Sequence, residues 1–472
     1  MQRIETYKRD DLLKFLGISL FLLIGALSAR LLVQNPPVLV LCFSGFLALV
    51  LIFFFNLRTG IILLIFLSPL LFLIPESISL FPDSSFSINL MGLLNLFLPF
   101  LLVFYLLTHK YKKITSSLSK PILIFLGILF LTVFTSYDSW ISLRNLFRLA
   151  MPISVYFLIL QSFKTEEQID QLKKVLLFSS IAPLLMGIYQ IFYGIPESSE
   201  LYAIYKSVDL NRIIGSFPHP NWYAAYLVVL IPLTISFYSE NRNANKKFFY
   251  LLLLGGMLIS LFCTYTRVAW AAFLGSITIM GIIRYKKIYL SLILILLALF
   301  LLIPSLNQIF MNRIQLDTSF YGRFSFNQLS LYLFSQKPIL GHGLGTYQLL
   351  STDVFGVAQS SYGRDTGVAS HNDYLKFLSE TGVVGFLAYL FLLYSLLKLG
   401  HIIFKNKIPT LKSEGSILVA VIAGILIYSL TDSGFSYGGI YLWTLIGIVE
   451  SRYRLNYNKL LDKSVSLKRG LV

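Results

Sequence analysis

The sequence predicts an all-α fold, a polytopic transmembrane helical bundle. Of its 472 residues, 56 % are hydrophobic and only 13 % are charged, where soluble domains average about 25 % charged. Mean hydropathy is +0.75. Apolar runs such as 12–33, 38–55 and 290–303 recur along the whole chain, and about 20 apolar residues suffice to cross roughly 30 Å of hydrocarbon.

The first run follows Arg3, Lys8, Arg9 and Lys14. It exceeds a signal-peptide core and lacks a small-residue cleavage site after it, so it reads as span one with a cytoplasmic N-terminus. Candidate spans lie at 15–34, 37–56, 60–75, 89–108, 121–137, 146–162, 174–193, 220–238, 248–264, 268–283, 287–304, 382–400, 415–431 and 437–450. Several are short and the 264–268 turn is tight, so the expected number is twelve to fourteen. The chain divides into an N-terminal membrane bundle of about 11 spans (1–304), a large outer loop with interfacial helices (305–381), and C-terminal spans with a basic cytoplasmic tail (382–472).

Alternating the spans from an inner N-terminus puts most of the 39 Lys and Arg on the cytoplasmic side, as the positive-inside rule expects. Both termini are then cytoplasmic. The assignment depends on a real turn at 264–267, without which every later loop changes side. The net charge of +17 follows mainly from those inner loops and implies anionic membrane lipids rather than nucleic acid. Cys42 and Cys263 fall in separate spans and suggest neither a disulfide framework nor a metal site.

The basic residues differ in kind between the two sides. Outside the inner loops stand Arg30, Arg144, Arg148, Arg212, Arg267, Arg313, Arg323 and Arg364 against Lys206, Lys337 and Lys376. Lys suffices for retention by charge. Arg adds a planar fork that grips phosphate or carboxylate through two bonds. An Arg-biased outer face therefore suggests an anionic ligand, with pyrophosphate the best fit. Arg144 and Arg148, four apart on one helical face, serve either as such ligands or as headgroup anchors.

The polar stretch 305–380 contains Arg313, Arg323, Lys337, Arg364 and Lys376 with two of the five histidines. Residues 321–336 predict an interfacial or re-entrant helix, ended by Lys337-Pro338. Gly341-His342-Gly343-Leu344-Gly345 predicts a structural turn, with no Lys-Ser/Thr after it to make a phosphate loop. His371 opens a helical pattern through Thr381, with Tyr374, Leu375 and Leu378 on its face. Glu380 turns away from it. His371 at a helix start could act as a base or a donor. In the 194–221 loop, Arg212 and His219 are candidates for the acceptor side.

Gly322-Arg323, Pro338-Ile339-Leu340-Gly341-His342-Gly343-Leu344-Gly345, His371-Asn372-Asp373-Tyr374-Leu375 and Glu380-Thr381-Gly382, in that order, resemble the signature region of the O-antigen ligase and polymerase (Wzy-type) superfamily of bacterial membrane glycosyltransferases. Gly215-Ser216-Phe217-Pro218-His219-Pro220-Asn221 and Thr264-Tyr265-Thr266-Arg267 resemble two further motifs of it. The resemblance covers about residues 200–382. It implies a GT-C-like fold in the bacterial inner membrane, a periplasmic active site, and inverting transfer that needs no metal or cofactor. The donor would be an undecaprenyl diphosphate-linked glycan; the acceptor would be lipid A-core, another glycan or a protein. It places the donor diphosphate on Arg267 and Arg323 and the acceptor hydroxyl at His371; Asn372 and Tyr374, next to His371 in the sequence, are supporting candidates. A single His371-bearing loop favours ligase over polymerase. A lipid-linked sugar transporter is the competing class, and would place ionisable residues inside spans, where this sequence has almost none.

Overall fold

The computed structural model describes residues 37–73, 78–79, 87–88, 90–108, 116–195, 212–287, 289–291, 293–294, 318–355, 358–359, 365–366 and 369–469. Helices dominate. The first seven are α1 (Pro37–Phe55), α2 (Leu57–Leu67), α3 (Leu90–Thr108), α4 (Ser119–Phe134), α5 (Ser139–Ser162), α6 (Glu166–Phe178) and α7 (Ile181–Tyr193). Then come α8 (Pro220–Glu240), α9 (Ala244–Cys263), α10 (Arg267–Met280), α11 (Thr318–Gln336), α12 (Tyr347–Phe355), α13 (Asp373–Phe404), α14 (Pro409–Tyr428), the single turn α15 (Gly434–Tyr437) and α16 (Gly439–Arg469). Two antiparallel pairs, Ile78–Ser79 with Ser87–Ile88 and Ala358–Gln359 with Asp365–Thr366, are the strands among the described residues.

Among the described residues, eight helical stretches are long and apolar enough to cross a membrane, and three shorter apolar helices accompany them. The predicted span 15–34 and most of 287–304 lie outside the described residues. Predicted span 174–193 is part of a longer stretch, 166–193, broken at Ser179-Ser180. Large apolar side chains such as Phe55, Phe100, Leu107, Leu123 and Phe134 are exposed, as expected where lipid replaces water.

The turn needed for the charge argument is present. α9 ends at Cys263 and α10 starts at Arg267, with Tyr265 between them at φ 50°. Side-chain caps fix other boundaries by satisfying helix-end N–H groups. Asp138 accepts from the Ile141 N–H at 2.9 Å, and Thr165 with Gln168 forms a capping box at α6.

α8 is the most enclosed span and packs against α9, α10 and α14. α16 lies on α5 and α6; α13 joins α4, α11 and α14. Polar clusters occupy the two ends of this bundle. At one end, Arg452 reaches Glu414 at 3.2 Å and Glu166 at 3.3 Å, while Lys173 meets Glu414 at 3.4 Å. These contacts bind α6, α14 and α16. The opposite end holds His371.

Near His371, the glycine turn docks on a break in α13. The Gly343 N–H donates to the Glu380 carbonyl at 2.7 Å, and the Val383 N–H to the Pro338 carbonyl at 2.8 Å. Gly341 has φ 68°, and a Cβ there would lie 2.4 Å from the Glu380 carbonyl carbon. Gly382 has φ 63°, and its Cβ would lie 2.2 Å from the Ile339 oxygen. Both positions need glycine, for a left-handed backbone and for lack of room.

Candidate functional site

The site begins with a short turn. The Ser370 hydroxyl donates to the Asn372 carbonyl at 3.2 Å, bracketing His371, whose φ of 49° is in the left-handed region. Non-glycine residues adopt that region seldom, and such conformations gather at functional sites. The helix expected to open at His371 starts two residues later. Asn372 caps it by accepting from the Leu375 N–H at 3.1 Å, which leaves His371 outside the helix and half-exposed.

His371 meets a carboxylate that sequence reasoning missed. Its Nδ1 lies 3.4 Å from Oδ1 of Asp432, in the connection between α14 and α15. Asp432 is fully buried. Its Oδ1 also accepts from the Ser433 N–H at 2.8 Å, and its Oδ2 accepts from the Asn221 side chain. Burial alone would raise its pKa, but the hydrogen bond from His371, the charge that imidazole carries once protonated, and the Ser433 N–H hold it below the ordinary carboxylate range. The signal for Asp432 was an acid between apolar runs 415–431 and 437–450, on the predicted outer side.

Arg212 supports the other side of Asn221. Its Nε donates to the Thr264 carbonyl at 2.9 Å, and its Nη2 to Asn221 Oδ1 at 2.9 Å and Thr266 Oγ1 at 3.1 Å. The α9–α10 turn, the start of α8 and Asp432 thus form one network. His219 caps α8, its Nδ1 accepting from the Asn221 N–H at 3.1 Å. That bond requires an unprotonated Nδ1. Burial and the neighbouring Arg212 lower its pKa to about 4.

α11 covers the site. Phe326 places its ring 6.1 Å from the His371 ring. Arg323 stands one turn earlier on the same helix and is half-buried. Behind the pair, the Tyr428 hydroxyl donates to the Asn221 carbonyl at 2.8 Å. Arg267 begins α10 next to Thr266, half-buried at the edge of the network. Tyr374 points elsewhere: its hydroxyl donates to the Leu426 carbonyl at 3.0 Å inside the bundle.

Arg144 and Arg148 line a cleft of about 240 Å³ with Tyr347, Gln348, Lys376 and Glu380. Ser370 and Ser433, the neighbours of His371 and Asp432, form part of its wall. Arg148 also sits 5.6 Å over the Trp222 ring, a favourable cation–π arrangement. Among the described residues no three His, Cys, Asp or Glu side chains gather as a metal site.

Comparison with curated proteins gives no match. Residues 249–390 match the family model described as O-antigen ligase. That segment includes Arg267, Arg323, His371 and the glycine turn, whereas Arg212, His219 and Asp432 lie outside it. The chain therefore carries an O-antigen ligase family segment, which supports the O-antigen ligase and polymerase superfamily as its family.

Proposed function

We propose that the protein is an O-antigen ligase-like glycosyltransferase of the bacterial inner membrane. In this reading both termini are cytoplasmic and the site faces the periplasm. It moves a glycan from an undecaprenyl diphosphate carrier to an acceptor hydroxyl, with lipid A-core the preferred acceptor. The observation that carries the reading is the His371–Asp432 contact of 3.4 Å at one end of membrane helices, joined through Asn221 to Arg212 and covered by α11, the helix that carries Arg323.

Donation of the Nδ1 proton to Asp432 leaves the Nε2 lone pair of His371 for the acceptor. Buried Asp432 fixes that tautomer. The acceptor oxygen attacks the anomeric carbon from the face opposite the diphosphate, and its proton passes to Nε2. The anomeric C–O bond breaks as the new one forms, its electrons leaving with the diphosphate and the configuration inverting. Arg267 and Arg323 stabilise the charge growing on that leaving group, and Arg212 adds to the positive field. One preorganised donor of this kind is worth about 2–4 kcal/mol of barrier. Positively charged donors supply this stabilisation without a metal ion.

The test is the surface-glycan profile of a deletion strain, run beside an extract of carrier-linked glycan. A ligase leaves bare core with full-length polymer stranded on the carrier. Core bearing one repeat, with long polymer absent from both fractions, would assign a polymerase instead. Unchanged core glycosylation would exclude lipid A-core as the acceptor.

A further inference from the structure

The cleft beside the His371–Asp432 pair holds a combination of groups that pyrophosphate binding does not explain. Arg144, Arg148 and Lys376 bring three cations to its wall. Neither Arg144 nor Lys376 forms an ion pair among the described residues. Yet Glu380 lines the same cleft. It is 1 % exposed, its Oε1 accepts from the Tyr347 N–H at 3.2 Å, and its Oε2 has no hydrogen-bond partner. A buried carboxylate short of donors is costly, so Glu380 gains from a hydroxyl or similar donor brought to the cleft wall.

A ligand that satisfies both halves carries an anion and hydroxyl groups together. Inorganic phosphate or pyrophosphate would meet the cations but would be repelled by Glu380. A neutral sugar would meet Glu380 and leave the cations unused. A sugar phosphate or a uronate meets both, and Asn145, Gln348 and Thr352 on the wall can bond its other hydroxyls. The volume of about 240 Å³ is near the small end of ligand sites, roughly 300–1,000 Å³, and suits one sugar residue. Ser370 and Ser433 connect the wall directly to His371 and Asp432.

We propose that this cleft is an acceptor subsite, which selects a sugar bearing a phosphate or carboxylate and holds it next to His371. The inference rests on the glycan-transfer reading above, with the donor diphosphate at Arg267 and Arg323, neither of which lines this cleft. Arg144, Arg148 and Lys376 bind the anion, and Glu380 accepts a hydroxyl. Acceptors without an anionic sugar near the reacting hydroxyl are then poor substrates.

The test uses the full chain in lipid nanodiscs, with glucose 6-phosphate and pyrophosphate as probes read by phosphorus NMR line broadening. Glucose 6-phosphate should bind wild type, and Arg144→Ala or Lys376→Ala should weaken it at least tenfold. Glu380→Gln should weaken it several-fold while binding inorganic phosphate at least as tightly as wild type, because the repelling charge is gone. Arg323→Ala should spare glucose 6-phosphate and weaken pyrophosphate. Arg144→Lys, which retains the charge, should bind better than Arg144→Ala at equal melting temperature, which separates recognition from folding. Failure of wild type to bind glucose 6-phosphate would overturn the proposal, as would binding indifferent to Arg144 and Lys376. Loss of pyrophosphate alone in Arg144→Ala would make the cleft the donor site and also overturn it. The glycan-transfer reading fails separately, if the purified wild type moves no glycan from a carrier-linked donor to any acceptor while these probes still bind.

Discussion

Nδ1 of His371 and Oδ1 of Asp432 are 3.4 Å apart, although 61 positions separate the two residues in the chain. A buried acid held by Asn221 and the Ser433 N–H gives the imidazole a fixed partner. Because Asp432 orients rather than reacts, Asp432→Asn should lower transfer by about 10-fold or more, by analogy with the carboxylates that orient metal-bound histidines. Substrate binding should change little. Single-turnover rates at saturating donor measure this, and an unchanged rate would remove Asp432 from the mechanism.

Arg212 uses two nitrogens of its guanidinium to join Thr264, Asn221 and Thr266. Lysine carries the charge but cannot reproduce that fork. Arg212→Lys should therefore cost about 1–3 kcal/mol of stability by leaving buried acceptors unmade, and should reduce transfer as well. Thermal melting of the purified variant gives the first effect. A lysine variant as stable as wild type would show that charge alone matters here.

His219 ties stability to pH. Its pKa falls from the ordinary 6.5 to about 4 in the folded protein, so between those values the unfolded chain binds more protons than the folded one. Stability therefore rises with pH across that window and is lost as pH falls from 6.5 toward 4. The full difference is at most about 3 kcal/mol, and solvent screening reduces it. His219→Asn keeps a capping side chain and removes the titration, so its melting temperature should vary less with pH over this range. Equal slopes for the two proteins would contradict the assignment.

Gly341 faces the backbone of Glu380 with no space for a Cβ. Gly341→Ala should separate the glycine turn from α13 and disturb the site. The positive φ and the clash together should cost more than the roughly 1 kcal/mol of an ordinary unfavourable backbone substitution. Limited proteolysis near residues 337–345 should speed up in the variant. Unchanged cleavage and melting would mean the turn can shift without loss.

Much of the fold was legible because lipid imposes a simple code: a long apolar run crosses, and charge collects at the ends. The helix over residues 321–336 and its stop at Lys337-Pro338 were also readable, and α11 ends at Gln336. The site was less so. The pattern in the sequence puts the first helical residue at His371, but the Asn372 cap moves the start to Asp373. Asn-Asp before an apolar helix is itself a capping signal, so that detail was available. Tyr374 shares the expected face, yet its hydroxyl reaches a carbonyl of α14 because the neighbouring helix supplies an acceptor there. Asp432 and Asn221 could not be paired with His371 by any local pattern. Their contact exists only because α8, α13 and α14 end together in space.

The most direct test of the account is the pH–rate profile of glycan transfer for wild type and His371→Ala. A base role predicts a wild-type rate that falls on the acid side as the imidazole takes up a proton. It also predicts a variant about 10²–10⁴-fold slower and lacking that limb. A variant that keeps the same limb, or transfers at the wild-type rate, would show that His371 does not accept the proton.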